Sequence, residues 1–361
     1  MRRREYSDYK PTRCEWLREI PSHWETLRLK YCATLINDKM EGRGAELPYT
    51  GLEHIESWTG KRIGADGESS NDGQASRYQR GDVLFGKLRP YLAKVLRADG
   101  DGICTGELLV LRPRIVLRDY LFYYILARDF ISIVDSSTYG AKMPRANWEF
   151  IGDLPVVVPD EDEQRAIAGF LDRETSRIDS LIKKKQRQIE LLQEKRSALI
   201  SHAVTKGLDP AAKMKDSGVE WLGEIPAHWQ IAKLGFCASV KARLGWKGLK
   251  ADEYVDNGFI FLATPNIKGR VIDFANVNYI TAERYYESPE IMLLEGDVLI
   301  VKDGSTLGII NFVRALPAPA TVNSSIAVIR PQQALRSDFL YYLLSSHYFQ
   351  SVVQQFKDGQ G

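Results

Sequence analysis

The run Gly81-Asp-Val-Leu-Phe-Gly86-Lys87-Leu88 sets two glycines and a lysine almost as a phosphate-cradling loop does. It is one residue short of that motif. Leu88 stands where a Mg²⁺-binding hydroxyl is required, and the residues between the glycines have the apolar character of a strand rather than of a flexible nest. Taken instead as a strand that ends in a loop, the segment presents Lys87, Arg89, Tyr91 and Lys94. Cations with an aromatic on a positioned loop suit phosphate contacts and hydrogen bonds to base edges. A solvated hairpin with a packed tyrosine is the competing reading.

Further candidates follow the same chemistry. Thr138-Tyr-Gly-Ala-Lys142-Met-Pro-Arg145-Ala-Asn147 is a second basic loop, with Gly140 as a flexible point. Lys302-Asp-Gly-Ser-Thr306 offers Lys302 to a phosphate and Asp303 to a cytosine amino group; Ser305 and Thr306 suit either a phosphate or a base. Lys61, Arg62, Arg77 and Arg80, and later Lys268 and Arg270, are exposed-looking cations in stretches of little pattern. Each alone reads as solvated surface more readily than as a base contact. His23 and Trp24, and again His228 and Trp229, resemble a metal or aromatic cage only in isolation, and a structural plug accounts for their repetition better. The sequence shows no Asn/Asp-Pro-Pro-Tyr segment, no glycine-rich cofactor loop after a strand, no H-E-x-x-H, no G-x-S-x-G and no paired Cys/His set. No catalytic or metal residue is therefore assigned.

Composition bounds the class. With 361 residues, 44% hydrophobic and 27% charged, the chain has material for two or three soluble domains. No apolar run is long enough to span a bilayer, and Met1-Arg-Arg-Arg-Glu-Tyr6 has no apolar stretch behind its charges, so neither a membrane span nor a signal peptide is expected. A net charge of +2 means that any polyanion must be met by local clustering of cations. Cys14, Cys32, Cys104 and Cys237 lack metal-ligand spacing and read as small apolar side chains, which fits a cytoplasmic protein.

The elements that must hold these loops are duplicated. Glu15-Trp-Leu-Arg-Glu-Ile-Pro-Ser-His-Trp24 returns as Glu220-Trp-Leu-Gly-Glu-Ile-Pro-Ala-His-Trp229. Gly81-Asp-Val-Leu84 returns at Gly296, Leu111-Arg-Pro113 as Ile329-Arg-Pro331, and Asp119-Tyr-Leu at Asp338 as Asp-Phe-Leu. The offset grows from 205 at Trp16/Trp221 to 219 at Asp119/Asp338, so the second copy carries insertions, which belong in loops. Matched blocks are the frame. The unmatched stretches, about 40–78 and 242–292, are where the copies read different things. Short strands are expected at 82–85, 108–111 and 155–158, with helices from Asp119 (as N-cap) to about Val134 and from Asp338 to about Phe356.

Between the copies, from Glu161 to about Val204, there is no proline and one glycine. Asp160 and Glu163 have capping-box spacing, acidic residues crowd the first turns and Lys183–Arg187 the later ones. Ile178, Leu181, Ile182, Ile189, Leu192 and Leu199 form a broken heptad interrupted by Lys185. This predicts a helix of about 65 Å that wants a partner helix.

These features together resemble the specificity subunit of type I DNA restriction-modification enzymes. The resemblance is carried by the Trp-Leu-x-x-Ile-Pro-x-His-Trp openings, Gly-Asp-Val-Leu, Tyr49-Thr-Gly-Leu-Glu-His-Ile55, Phe85-Gly-Lys-Leu-Arg-Pro-Tyr91, Glu163-Gln-Arg-Ala-Ile-Ala168 and Ala203-Val-Thr-Lys-Gly207, and it runs through essentially the whole chain. It implies an α+β fold: two similar strand-rich target recognition domains, at 1–158 and 207–361, separated by a long coiled-coil-type spacer helix at 159–206. The implied function is to read an asymmetric bipartite target in double-stranded DNA, through the basic loops named above. Implied partners are methyltransferase subunits that bind S-adenosylmethionine and restriction subunits that use ATP and Mg²⁺, with no cofactor in this chain. The stretch Asp172–Leu199 is the expected docking region for the methyltransferase subunits. The family pattern also calls for a second spacer helix, which this sequence does not supply, so the second module is expected to be truncated. Pairing with a second copy through the single helix then follows as an expectation. The competing function is a duplicated scaffold that grips two protein partners without reading DNA.

Overall fold

The computed structural model describes residues 6–14, 16–41, 47–64, 73–140, 142–220, 222–243, 249, 251–332 and 335–358. The chain divides into two compact units, Met1–Lys183 and Lys184–Gly361, with the division inside the long helix Glu161–Lys206.

In the first unit, Ala33–Ile36, Leu108–Pro113, Val83–Gly86 and Val95–Arg97 form an antiparallel sheet in that spatial order. The second unit repeats it with Ala238–Lys241, Ile326–Pro331, Val298–Val301 and Ile310–Phe312. Beside each lies a smaller sheet. In the first it comprises Lys39–Glu41, Gln74–Tyr78, Gly102–Thr105 and Tyr49–Thr50; in the second, Asn278–Ile280, Phe259–Leu262 and Ala320–Val322. One parallel pair occurs in each smaller sheet, Tyr49–Thr50 with Gly102–Thr105 and Phe259–Leu262 with Ala320–Val322.

The repeated motifs have a physical explanation. Gly81 and Gly296 adopt φ of +97° and +90°, a left-handed backbone that favours glycine. The following Asp82 and Asp297 are buried, and each takes two bonds from the arginine of the repeated Arg-Pro pair. Arg112 reaches Asp82 at 2.8 and 2.9 Å, and Arg330 reaches Asp297 at 2.7 and 2.8 Å. Val83, Leu84, Val298 and Leu299 then enter the cores. Glycine turn, buried carboxylate, apolar strand and distant arginine thus form one unit, made twice.

Each copy opens on a hairpin, Tyr9–Cys14 with Leu17–Pro21 and Met214–Asp216 with Glu224–Pro226. The expected strands lie at Val83–Gly86, Leu108–Pro113 and Pro155–Val158, the last paired with Glu25–Arg28.

The expected continuous helices are each two. Arg118–Leu126 stops at Ala127, which is extended (φ −60°, ψ 140°), and Arg128–Ser136 follows at once. The break lets the second helix turn Phe130, Ile131 and Val134 into the core. Ser337–Leu344 and His347–Asp358 are likewise separated at Ser345 and Ser346, whose hydroxyls bond back to Tyr341 and Leu343 carbonyls. Asp119 is no N-cap: Leu117 holds that place, and the Asp119 carboxylate meets Arg97 and Arg118.

At the start of the long helix, Asp160 Oδ1 accepts from Glu163 N–H at 2.8 Å, as the capping pattern predicts. Glu163 itself is spent elsewhere: its Oε2 accepts from Trp24 Nε1 at 2.7 Å and lies 3.0 Å from His23 Nε2. That explains the repeated His-Trp pair as an anchor for the N-terminal hairpin. In the second copy a Cβ added to Gly207, just past the helix end, would lie 3.5 Å from the Trp229 ring. The expected seam residues Ile178, Leu181, Ile182, Ile189, Leu192 and Leu199 are exposed, by 48% at Ile189 up to 61% at Ile182. Among the described residues no helix is long and apolar enough to cross a membrane.

Candidate nucleic-acid interface

In the first module three segments converge where the strand Val83–Gly86 ends. Lys87 N–H donates to Glu107 O at 3.0 Å, and Lys87 O accepts from Ala146 N–H at 3.0 Å. Arg89 N–H donates to Pro144 O at 2.8 Å, while Tyr139 and Arg145 exchange both backbone bonds. The two basic loops seen in the sequence therefore form one surface. Arg89 (φ +50°) and Ala93 (φ +47°) bracket the Pro90–Leu92 turn in left-handed conformations, which turns Tyr91 outward, 46% exposed. A non-glycine residue held there stores local strain, a common feature of binding sites. Lys142 is exposed on the same surface.

The other candidates are placed differently. Arg145 is bound by Glu107 through three contacts of 3.0–3.2 Å, and this carboxylate raises its pKa further. Lys94 Nζ donates to the carbonyls of Leu52 and Ile55, at 2.6 and 2.8 Å. Lys61 pairs with Asp179 at 2.5 Å, and Arg62 donates to Tyr49 O at 3.1 Å. Arg77 and Arg80 are exposed. Sequence reasoning passed over Trp58 (φ +67°, 44% exposed), Tyr139 (63%) and Met143 (45%), apolar groups beside these cations that suit contact with base faces and thymine methyls. The signal available was an aromatic next to glycine in Tyr139-Gly140.

The second module builds the equivalent corner with other chemistry. Lys302 N–H donates to Ser325 O at 2.9 Å, matching Lys87 onto Glu107. Lys302 Nζ lies 3.3 Å from Asp303, with Ser305 exposed and Thr306 half-buried beside them. The Asn323 side-chain oxygen is enclosed without a hydrogen-bond partner among the described residues. Lys268 and Arg270 lie on an exposed loop at a groove of about 1540 Å³, whose walls also carry Arg314, Lys195 and Arg196 and, among the described residues, no carboxylate. Arg314 stacks over Phe312 and Tyr341, 4.0 and 5.6 Å from the ring centroids. In the first module Arg97 stacks in the same manner over Phe122 and Tyr123, at 4.5 and 5.6 Å, but it is neutralised by Asp172 of the long helix at 2.9 Å. Arg97 is thus matched by a carboxylate, whereas Arg314 lines the groove together with Lys195, Arg196, Lys268 and Arg270.

His23, Asp160 and Glu163 bring three ligand-type atoms within 4.8 Å of one another, but the capping and anchoring bonds above already use the two carboxylates. Cys32 and Cys237 end equivalent one-turn helices; Cys32 and Cys104 are buried, and burial pushes their thiols up to about 11 and about 12.

Residues 46–191 match the family described as type I restriction modification DNA specificity domain. The MjaVIII type I restriction enzyme specificity subunit of Methanocaldococcus jannaschii is 24% identical over 368 residues, covering 93% of this chain and 78% of that protein. Together these matches support an HsdS-like specificity subunit. The EcoDI specificity subunit of Escherichia coli is 29% identical over 169 residues, 45% of this chain and 37% of that one. Among solved structures, a chain from a study of assembly and conformational transition of the type I R-M system superposes with TM-score 0.66 at 20% identity, covering 91% of this chain and 80% of that one. The HsdS subunit from Thermoanaerobacter tengcongensis gives TM-score 0.54 at 20% identity, covering 93% and 82%. These HsdS-like folds agree with the α+β arrangement of two strand-rich modules with a long helix between them in the chain.

Proposed function

We propose that this chain reads DNA sequence for a type I restriction-modification assembly and leaves catalysis to other subunits. The observation that carries the reading is the pair of equivalent corners. One frame, fixed by the same glycine turn and Asp–Arg pair, presents Lys87, Arg89, Tyr91 and Lys142 in one module and Lys302, Asp303, Ser305 and Thr306 in the other. Identical frames with unlike polar edges fit two unlike half-sites. Lysine and arginine would supply salt-dependent phosphate affinity, and the few polar and aromatic tips the discrimination. Selection of duplexes from a random library by the assembled complex tests this. The expected result is an asymmetric bipartite motif, and enrichment of no sequence overturns it in favour of a scaffold.

The partners proposed are double-stranded DNA, methyltransferase subunits carrying S-adenosylmethionine and restriction subunits using ATP and Mg²⁺, in the cytoplasm. The exposed apolar seam supports a helical partner, and a second copy of this chain is the occupant proposed for it. Light scattering that finds only monomer at high concentration overturns that pairing. Within the docking stretch Asp172–Leu199, Asp172 and Asp179 are engaged by Arg97 and Lys61. The exposed basic run Lys183–Arg187 is therefore the face proposed for the methyltransferase subunits. Charge reversal at Lys183–Arg187 that leaves complex formation untouched counts against this face.

A further inference from the structure

The two modules suspend their variable loops from the same carbonyl by different means. In the first, Lys94 Nζ holds Leu52 O and Ile55 O at 2.6 and 2.8 Å. In the second, Asn311 Nδ2 holds Ile267 O and Gly269 O at 3.1 and 3.0 Å. Ile55 and Ile267 are equivalent, because the turn before each is locked alike. Gly51 N–H donates to His54 Nδ1 at 3.0 Å, and Ala263 N–H donates to Asn266 Oδ1 at 2.8 Å.

The donors are not equivalent in sequence. Leu84 faces Leu96 in one strand pair and Leu299 faces Asn311 in the other, so Asn311 takes the place of Leu96 and Ile309 that of Lys94. The same tether is thus built from two positions, two residues apart. Immediately beyond it stand the exposed groups of each loop, Trp58 and Lys61 in the first and Lys268, Arg270 and Val271 in the second.

We propose that Lys94 and Asn311 are positioning residues that set the two recognition loops, and through them the base preference of each half-site independently. This rests on the DNA-reading proposal above. Asn311 is fully buried, and its Oδ1 also accepts from Phe312 N–H at 2.9 Å and Arg314 Nη1 at 3.3 Å, so its amide has one orientation available. An apolar residue there leaves the two loop carbonyls without their donor, and the loop must move to find water. Base-edge hydrogen bonds tolerate only about 0.5 Å of such movement before discrimination falls.

The test compares the wild-type chain with Lys94→Met, Lys94→Arg and Asn311→Leu, the last being what the first module holds at that register. Each is assembled with methyltransferase subunits and selected on a random duplex library. Hydrogen exchange of the amides at 52–63 and 267–271 is followed alongside. Lys94→Met should weaken base preference at least five-fold in one half of the motif only, with faster exchange at 52–63. Asn311→Leu should do so in the other half only, with faster exchange at 267–271. Lys94→Arg, which keeps the donors, should restore most of the first. Halves that weaken together, or a motif unchanged while its loop loosens, make the role merely structural and overturn the inference alone. A wild-type chain that enriches no motif overturns the DNA reading and this inference with it.

Discussion

Replacing Arg112 with methionine should destabilise the first module more than any exposed charge deletion, because of what it leaves behind. The Asp82 carboxylate is 1% exposed, whereas Arg112 is 40% exposed. Without the guanidinium, Asp82 keeps one backbone bond, from Gln79 N–H at 2.8 Å. Breaking a buried pair from one side costs about 3–5 kcal/mol, and the solvent-facing arginine end puts this case at about 3. For a unit of this size that is a fall of about 6–12 °C in Tm. Neutralising the stranded carboxylate should recover part of the loss, so Asp82→Asn/Arg112→Met should be more stable than Arg112→Met by about 1–2 kcal/mol. Arg112→Lys keeps the charge but not the two-pronged geometry and should fall between them. Calorimetry and urea titration of the wild type, these three variants and Asp82→Asn alone give the double-mutant cycle. A double variant no more stable than Arg112→Met would refute the argument that the buried charge is the source of the cost. Arg330→Met with Asp297→Asn should behave alike in the second module, where the exposures are 39% and 1%.

Other outcomes follow from the same structure. Cys32 and Cys104, buried and held at about 11 and about 12, should resist iodoacetamide at pH 8 until the first unit unfolds; fast labelling of the native chain would contradict their burial. Asp172 lies below the usual carboxylate range because, against the effect of burial, the bonds from Tyr123 and Arg97 favour its charge. Its depressed folded-state value means that its stabilisation is present above about pH 4 and fades as pH falls through the folded-state value. Asp172→Asn should flatten acid-limb unfolding, and an unchanged limb would count against the pair. Lys87→Ala and Lys302→Ala should each reduce the slope of log affinity for duplex DNA against log salt by about one. Gly296→Ala should cost about 1–3 kcal/mol, since φ is +90° and the new Cβ would meet Ser337 Oγ at 2.9 Å.

The sequence by itself determined the frame. A left-handed glycine, an aspartate and an apolar strand are local requirements, so Gly81-Asp-Val-Leu84 and Gly296-Asp-Val-Leu299 declared equivalent turns and strands before any contact was known. The long helix was equally legible, because its cap, its charge gradient and its lack of proline all lie within it. The tertiary structure decided what each polar side chain is spent on. Lys94 and Arg89 look alike in the sequence, yet the fold brings two carbonyls from about forty residues away onto Lys94 and leaves Arg89 exposed. Arg145 is quenched by Glu107 and Lys61 by Asp179, partners set by packing rather than by spacing. Glu163 has capping-box spacing, but Trp24 and His23 arrive from the other end of the module to claim it. The breaks at Ala127 and Ser345 were hidden for the same reason: no proline or glycine marks them, and only the gain from turning a second apolar face into the core puts them there. Local geometry is written in neighbouring residues, whereas the choice of partner depends on chain segments that meet only after folding.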